Sequence, residues 1–192
     1  MHLNTTAPIT RPIRLRPFRD DDANAVASLL AQSEPMVGPV PPNPLTAADV
    51  EADYFTQPPN HLWIAEIDGI VVGVAGLQHE QPMIARLTQL CIDDAWEDAD
   101  IPEQLLIAAV QHCHYFGYLK LVAQTTWPTA QIINLFARCG LRYTRHRGDI
   151  DDASCLLEFY VDLYRQNGQA HFTPAPPAKP ATSRQSQAVA LR

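Results

Sequence analysis

The dipeptide Asp68-Gly69 stands between two apolar runs of strand length, residues 62–67 and 70–77. Asp-Gly accepts the positive φ angles of a type I′ turn, whose twist matches that of paired strands, so the whole stretch reads as an antiparallel hairpin. Any fold of this chain must contain that pair.

The remaining order follows from periodicity and punctuation. Residues 13–18 alternate as a strand, and Asp20, Asp21 and Asp22 offer an N-cap and first-turn acids to a helix. Its apolar face is Ala23, Val26, Leu29 and Leu30. Between Glu34 and Pro44 the prolines Pro35, Pro39, Pro41, Pro42 and Pro44 exclude helix and inner strand. Thr46 caps a second predicted helix that runs to about Phe55. After the hairpin come a strand over 85–92, then a helix over 101–116 with the stripe Leu105, Leu106, Ala109, Val110 and Cys113, ended by Gly117 as a left-handed cap. A strand over 119–124 precedes a helix that Pro128 opens and Gly140 closes, and strands over 141–147 and 154–164 follow.

The order β-α-α-β-β-β-α-β-α-β-β predicts an α/β fold in which one mixed, twisted sheet carries helices on both faces. Residues 1–11 are read as an arm, 12–166 as the domain, and 167–192, rich in Pro, Ala, Ser and Gln without apolar period, as a disordered tail.

Charge narrows the function. The chain carries −7, but all 21 Asp/Glu lie at or before Asp162, while Arg165, Lys179, Arg184 and Arg192 follow it. An acidic body with a sparse basic tail argues against nucleic acid and anionic membrane as partners. No signal-like or bilayer-length apolar run is present, which sets the expectation of a cytoplasmic protein. Cys91, Cys113, Cys139 and Cys155 are widely spaced in apolar segments and read as core residues of a reducing compartment. No metal is expected. In His112-Cys113-His114 the two histidines are two positions apart on a helix and point to different sides.

Between Arg86 and Lys120 there is no Lys or Arg, and the six carboxylates Asp93, Asp94, Glu97, Asp98, Asp100 and Glu103 crowd the passage from strand to helix. A helix N-terminus presents free N–H groups and partial positive charge, the usual seat of a phosphate. Here Asp100 and Glu103 have capping-box spacing, so the reading is that carboxylates occupy those donors. A solvated helix start with ordinary first-turn acids is the plainer account of the same run.

Three stretches, Ile13-Arg14-Leu15-Arg16-Pro17 with the Asp-rich helix start, the hairpin from Ile64 to Leu77, and Leu135-Phe136-Ala137-Arg138-Cys139-Gly140-Leu141, together resemble the GNAT superfamily of N-acetyltransferases over roughly residues 12–164. The resemblance implies that acetyl-CoA lies along the strand ending at Ile92, with backbone groups near Leu90, Cys91 and Ile92 bonding the pantetheine and the pyrophosphate on the turn that follows. It also implies a substrate amine attacking the thioester and a tyrosine protonating the thiolate. The family's Q/R-x-x-G-x-G/A turn corresponds to Glu97-Asp98-Ala99-Asp100-Ile101-Pro102, with Asp100 and Pro102 at glycine positions and Asp98 between them and the first residue. Thr129 stands where the family has asparagine, and Phe136 where it has the tyrosine.

His79 and Glu80, at the predicted end of the third strand, are the base candidates, against the plainer reading of a polar strand end. Trp63, Trp96 and Trp127 read as packing and rim residues. Two functions follow. One is a GNAT homologue with a degenerate pyrophosphate site, either weakly active with acetyl-CoA or non-catalytic and then without cofactor, which binds a cationic ligand, a small amine or a partner such as its own tail. The other is an active acetyl-CoA-dependent N-acetyltransferase acting on an unidentified amine. Asp98, Asp100, Pro102 and Phe136 favour the first.

Overall fold

The computed structural model describes residues 12–38, 46, 48, 49, 52, 60–96, 100–126, 129–147 and 156–164. Within them one sheet holds β1 (Arg14–Pro17), β2 (His61–Ile67), β3 (Ile70–Gln81), β4 (Ile84–Ile92), β5 (Lys120–Thr125), β6 (Arg142–Arg147) and β7 (Leu156–Asp162). The helices of defined extent are α1 (Ala23–Gln32), α2 (Ile101–Tyr115) and α3 (Ala130–Arg138). The spatial order is β1-β2-β3-β4-β5-β7-β6, and β4–β5 is the parallel pair among antiparallel neighbours. The predicted mixed sheet is thus the observed one.

Local chemistry explains the elements. Asp68 and Gly69 take φ of 52° and 81°, as a type I′ turn requires. Gly117 (φ 75°) and Gly140 (φ 82°) follow α2 and α3 as left-handed residues. Thr129 caps α3, its Oγ1 accepting from Ile132 N at 3.3 Å. Thr46 and Asp49 cap each other reciprocally, Thr46 N donating to Asp49 Oδ2 at 2.8 Å and Asp49 N to Thr46 Oγ1 at 3.3 Å.

The Asp-rich start of α1 behaves differently from its reading. Asp22 holds the N-cap position but gives α1 no side-chain cap. Its carboxylate instead receives Arg16 Nη1 at 2.6 Å, Arg16 Nη2 at 2.8 Å and Arg19 N at 2.8 Å. The Arg16 hydrogen bond holds the Asp22 carboxyl below its usual range. Arg16 Nε also donates to Glu66 at 2.7 Å, which ties β1, β2 and the start of α1 together.

Two cores flank the sheet. On one, Phe18, Val26, Leu29 and Leu30 pack on Ile64, Val74 and Cys91. On the other, α2 and α3 bring Leu105, Leu106, Ala109 and Phe136 against Ile67, Leu87, Leu90, Leu121 and Phe159. Alternation along β4 sends Cys91 to the first core and Leu90 and Ile92 to the second. Gly73 on β3 lets α2 come close: a Cβ there would lie 3.0 Å from Ile101 Cγ2 and 3.3 Å from Leu105 Cδ1.

Strand ends shift in places. β3 continues past Leu77 to Gln81, because the polar Gln78, His79 and Gln81 still pair with the start of β4. The N-terminal arm, the tail from residue 167, the extent of the helix behind Thr46, and Glu97, Asp98, Ala99, Trp127, Pro128 and Cys155 lie outside the described residues.

Candidate functional site

β4 and β5 pair from Ile84↔Lys120 only as far as Leu87↔Ala123, and both strands run on beyond that point. A bulge begins the parting: Gly76 pairs with Gln89 and Leu77 with Leu87, so Thr88 is an extra residue in β4. An extra residue bends its strand and sharpens the local twist. The sheet therefore opens into a cleft whose β4 side is formed by Leu90, Cys91 and Ile92.

The chain closes part of that cleft itself. Val37 forms an isolated antiparallel bridge with Leu90. Leu90 N donates to Val37 O at 3.3 Å, and Leu90 O accepts from Met36 N at 2.8 Å and Val37 N at 3.4 Å. Across the cleft, Gly38 N donates to Gln124 O of β5 at 3.3 Å. Val37 is wholly buried. The proline-rich stretch was read as excluding helix and inner strand; its described residues 34–38 form neither, but they do contribute this isolated bridge. Pro35 and Pro39 lack donors, but the three residues between Pro35 and Pro39 each carry an N–H, and all are used within the sheet. Gly38 is required for this path: its φ is 95°, and a Cβ would lie 2.1 Å from Thr88 O.

Leu90 thus turns its backbone groups into the cleft. Ile92, two residues on, repeats that orientation, and Asp93 N returns to β3 by donating to Val72 O at 3.0 Å. The Ile92 end of β4 is where the edge faces the opening. Gly73, the β3 partner of Ile92, contacts the first turn of α2 and so sets a helix N-terminus beside that edge.

At this N-terminus the predicted capping box is not formed. Asp100 is the N-cap residue, exposed, but its side chain caps nothing. Glu103 reaches away, its Oε2 accepting from Arg138 Nε of α3 at 3.0 Å. The long Arg138 side chain competes for the carboxylate that would otherwise fold back on the helix end. The first-turn donors are therefore not covered by these two acids, contrary to the sequence reading. Pro102 is buried in the first turn and supplies no N–H, so Ile101 and Glu103 carry the donors there.

Phe136 is wholly buried, its ring 4.9 Å from that of Phe159 in an edge-on contact. It has no group to donate a proton. His79 and Glu80 lie away from the cleft: His79 is four residues along β3 from Ala75, the partner of Leu90, or about 13 Å at strand spacing. Glu80 is ion-paired with Arg86, and His79 Nδ1 is 3.3 Å from Tyr118 Oη. Thr129 spends its hydroxyl on the α3 cap.

Of the histidines in the His-Cys-His run, His112 stacks among His61, Trp63 and Phe116, and Cys113 is buried, its thiol pushed up to about 12 by desolvation. No cluster that could hold a metal is found among the described residues. Trp96 packs, half-buried, on the larger core.

Sequence reasoning missed the Met36–Gly38 segment, Arg138 as partner of Glu103, and Gln89. The Gln89 side chain is buried beside Gly38, and its Nε2 has no hydrogen-bond partner among the described residues. The signal for the segment was Val-Gly between prolines, a short extended piece with a left-handed exit. Nothing local marked Arg138, whose partner is 35 positions away.

Comparison with known proteins agrees with this geometry. Residues 42–133 match the family model described as the acetyltransferase (GNAT) domain. N-acetylaspartate synthetase from Mus musculus is 28% identical over 97 residues, covering 50% of this chain and 32% of that protein, and the Homo sapiens protein matches equally. The chain therefore spans about a third of the length of these curated relatives. The ribosomal-protein-S18-alanine N-acetyltransferase from Escherichia coli superposes with a TM-score of 0.64 at 12% identity, covering 79% of this chain and 94% of the other. A Bacillus subtilis acetyltransferase solved in complex with CoA gives 0.57 at 16% identity, covering 79% and 98%. No helix among the described residues is long and apolar enough to cross a membrane. With the strand order and the parting of β4 from β5 in agreement with these matches, the chain has the fold of the GNAT N-acetyltransferases and is similar to that family over residues 42–133.

Proposed function

We propose that this protein keeps the shape of an acetyl-CoA site but binds the coenzyme weakly, and that it is at most a slow N-acetyltransferase whose acidic turn suits a cationic ligand. The observation that carries this is Pro102 in the first turn of α2 behind an exposed Asp100, which removes one donor and adds one charge where a pyrophosphate would rest. A carboxylate about 6 Å from a phosphate charge costs on the order of 2–3 kcal/mol at an effective dielectric near 20. The buried Phe136 and the Val37 bridge on Leu90 support the same reading. Coenzyme and site therefore fit in outline, along the Ile92 edge and the uncapped helix end, and oppose each other in charge.

Calorimetric titration with acetyl-CoA tests this. The dissociation constant should exceed about 100 μM, corresponding to a binding free energy weaker than about −5.5 kcal/mol. Replacing Asp98, Asp100 and Pro102 together by glycine should tighten it at least about tenfold. Submicromolar binding by the unaltered protein would overturn the proposal.

One observation favours the second reading, an efficient acetyl-CoA-dependent enzyme. Asp100 and Glu103 leave the helix donors uncovered, and the half-exposed Arg138 stands beside them as a cation for phosphate. The acceptor would then be an amine, and the similarity to N-acetylaspartate synthetase makes amino acids the first acceptors to assay. The free buried thiols Cys91 and Cys113 suit a cytoplasmic setting for either reading.

A further inference from the structure

We propose that Met36–Gly38 is a displaceable strap, which holds the Leu90 backbone in the ligand-free chain and is lifted when a pantetheine chain takes its place along β4. This rests on the reading that coenzyme A enters between β4 and β5.

The strap occupies both backbone groups of Leu90 and crosses to Gln124, so it lies where an extended ligand would have to pair. It does so loosely. Three of its four hydrogen bonds measure 3.3–3.4 Å, at or beyond the long end for N–H···O, and only Met36 N to Leu90 O is short at 2.8 Å. Gln89 alongside it leaves a buried Nε2 donor unpaired among the described residues, an arrangement that a different position of the strap or an arriving acceptor atom would relieve.

What keeps the strap closed is the burial of Val37 and the left-handed Gly38, whose path leaves no room for a Cβ beside Thr88 O. A closed majority lowers apparent affinity by the fraction of open molecules, so loosening the strap should tighten binding without touching the ligand's own contacts.

Amide hydrogen exchange of the full chain, with and without millimolar coenzyme A, is the direct test. The amides of Met36, Val37 and Gly38 should exchange faster with coenzyme A present, while α2 and β3 are unchanged or slower. In parallel, Gly38→Ala, whose Cβ cannot fit the closed path, should bind coenzyme A at least fivefold tighter, and the milder Val37→Thr should move in the same direction. Strap amides that stay equally or better protected with coenzyme A would overturn the proposal. So would a folded Gly38→Ala protein, verified by circular dichroism, with unchanged or weaker affinity. Tight binding by the unaltered chain with release of the strap amides would support the strap while sinking the weak-site reading. Weak binding with a protected strap would do the reverse.

Discussion

Phe136 shows how one side chain can be decisive for chemistry and ordinary for packing. Its ring is fully enclosed and leans edge-on against Phe159, a geometry aromatic pairs favour. With the ring enclosed to its para position, Phe136→Tyr buries a hydroxyl without an assured acceptor and should cost about 1–3 kcal/mol in urea denaturation. Unchanged stability would mean that the para position opens toward the cleft, and the substitution should then be assayed for gained turnover. The sequence alone could name this position but not its enclosure, because burial on α3 depends on β7, more than twenty residues away.

At the scale of elements, β2 and α2 meet through His61, Trp63, His112 and Phe116. Burial, with His112 close by, pushes His61 down to about 4 from 6.5. Between those values the unfolded chain takes up a proton that folded His61 refuses, so stability should fall as pH drops through that window. Thermal melts from pH 7 to 4.5 should show this, and His61→Phe should flatten the slope. An unchanged slope in the variant would show that other groups carry it.

Most elements were legible because their signals are local: Asp-Gly for the hairpin, glycines past α2 and α3, Thr129 one residue before its helix. What failed was competition over distance. The Asp100 and Glu103 spacing is right for a reciprocal cap, yet Arg138 draws Glu103 away. Likewise the proline count hid Met36–Gly38, whose pairing partners lie on β4 and β5.

Over the whole molecule, Asp93, Asp94, Asp100 and Glu103 lie near the start of α2, and under the proposed reading the electrostatic sign there is opposite to that of a cationic phosphate site. A phosphate held by cations loses affinity as salt rises; one repelled by carboxylates should gain. Raising ionic strength from about 0.05 to 0.5 M should therefore strengthen coenzyme A binding or leave it level, since screening shortens to a few ångströms. A steep loss with salt would show that Arg138 and the helix dipole dominate.

The close seat of α2 on Gly73 has a mechanical corollary. With its first turn already resting on bare backbone, the helix has no slack to retreat toward the sheet. Any side chain in place of that glycine would have to push the start of the helix outward, so the spacing of helix and sheet at this corner is set by a single missing methyl group.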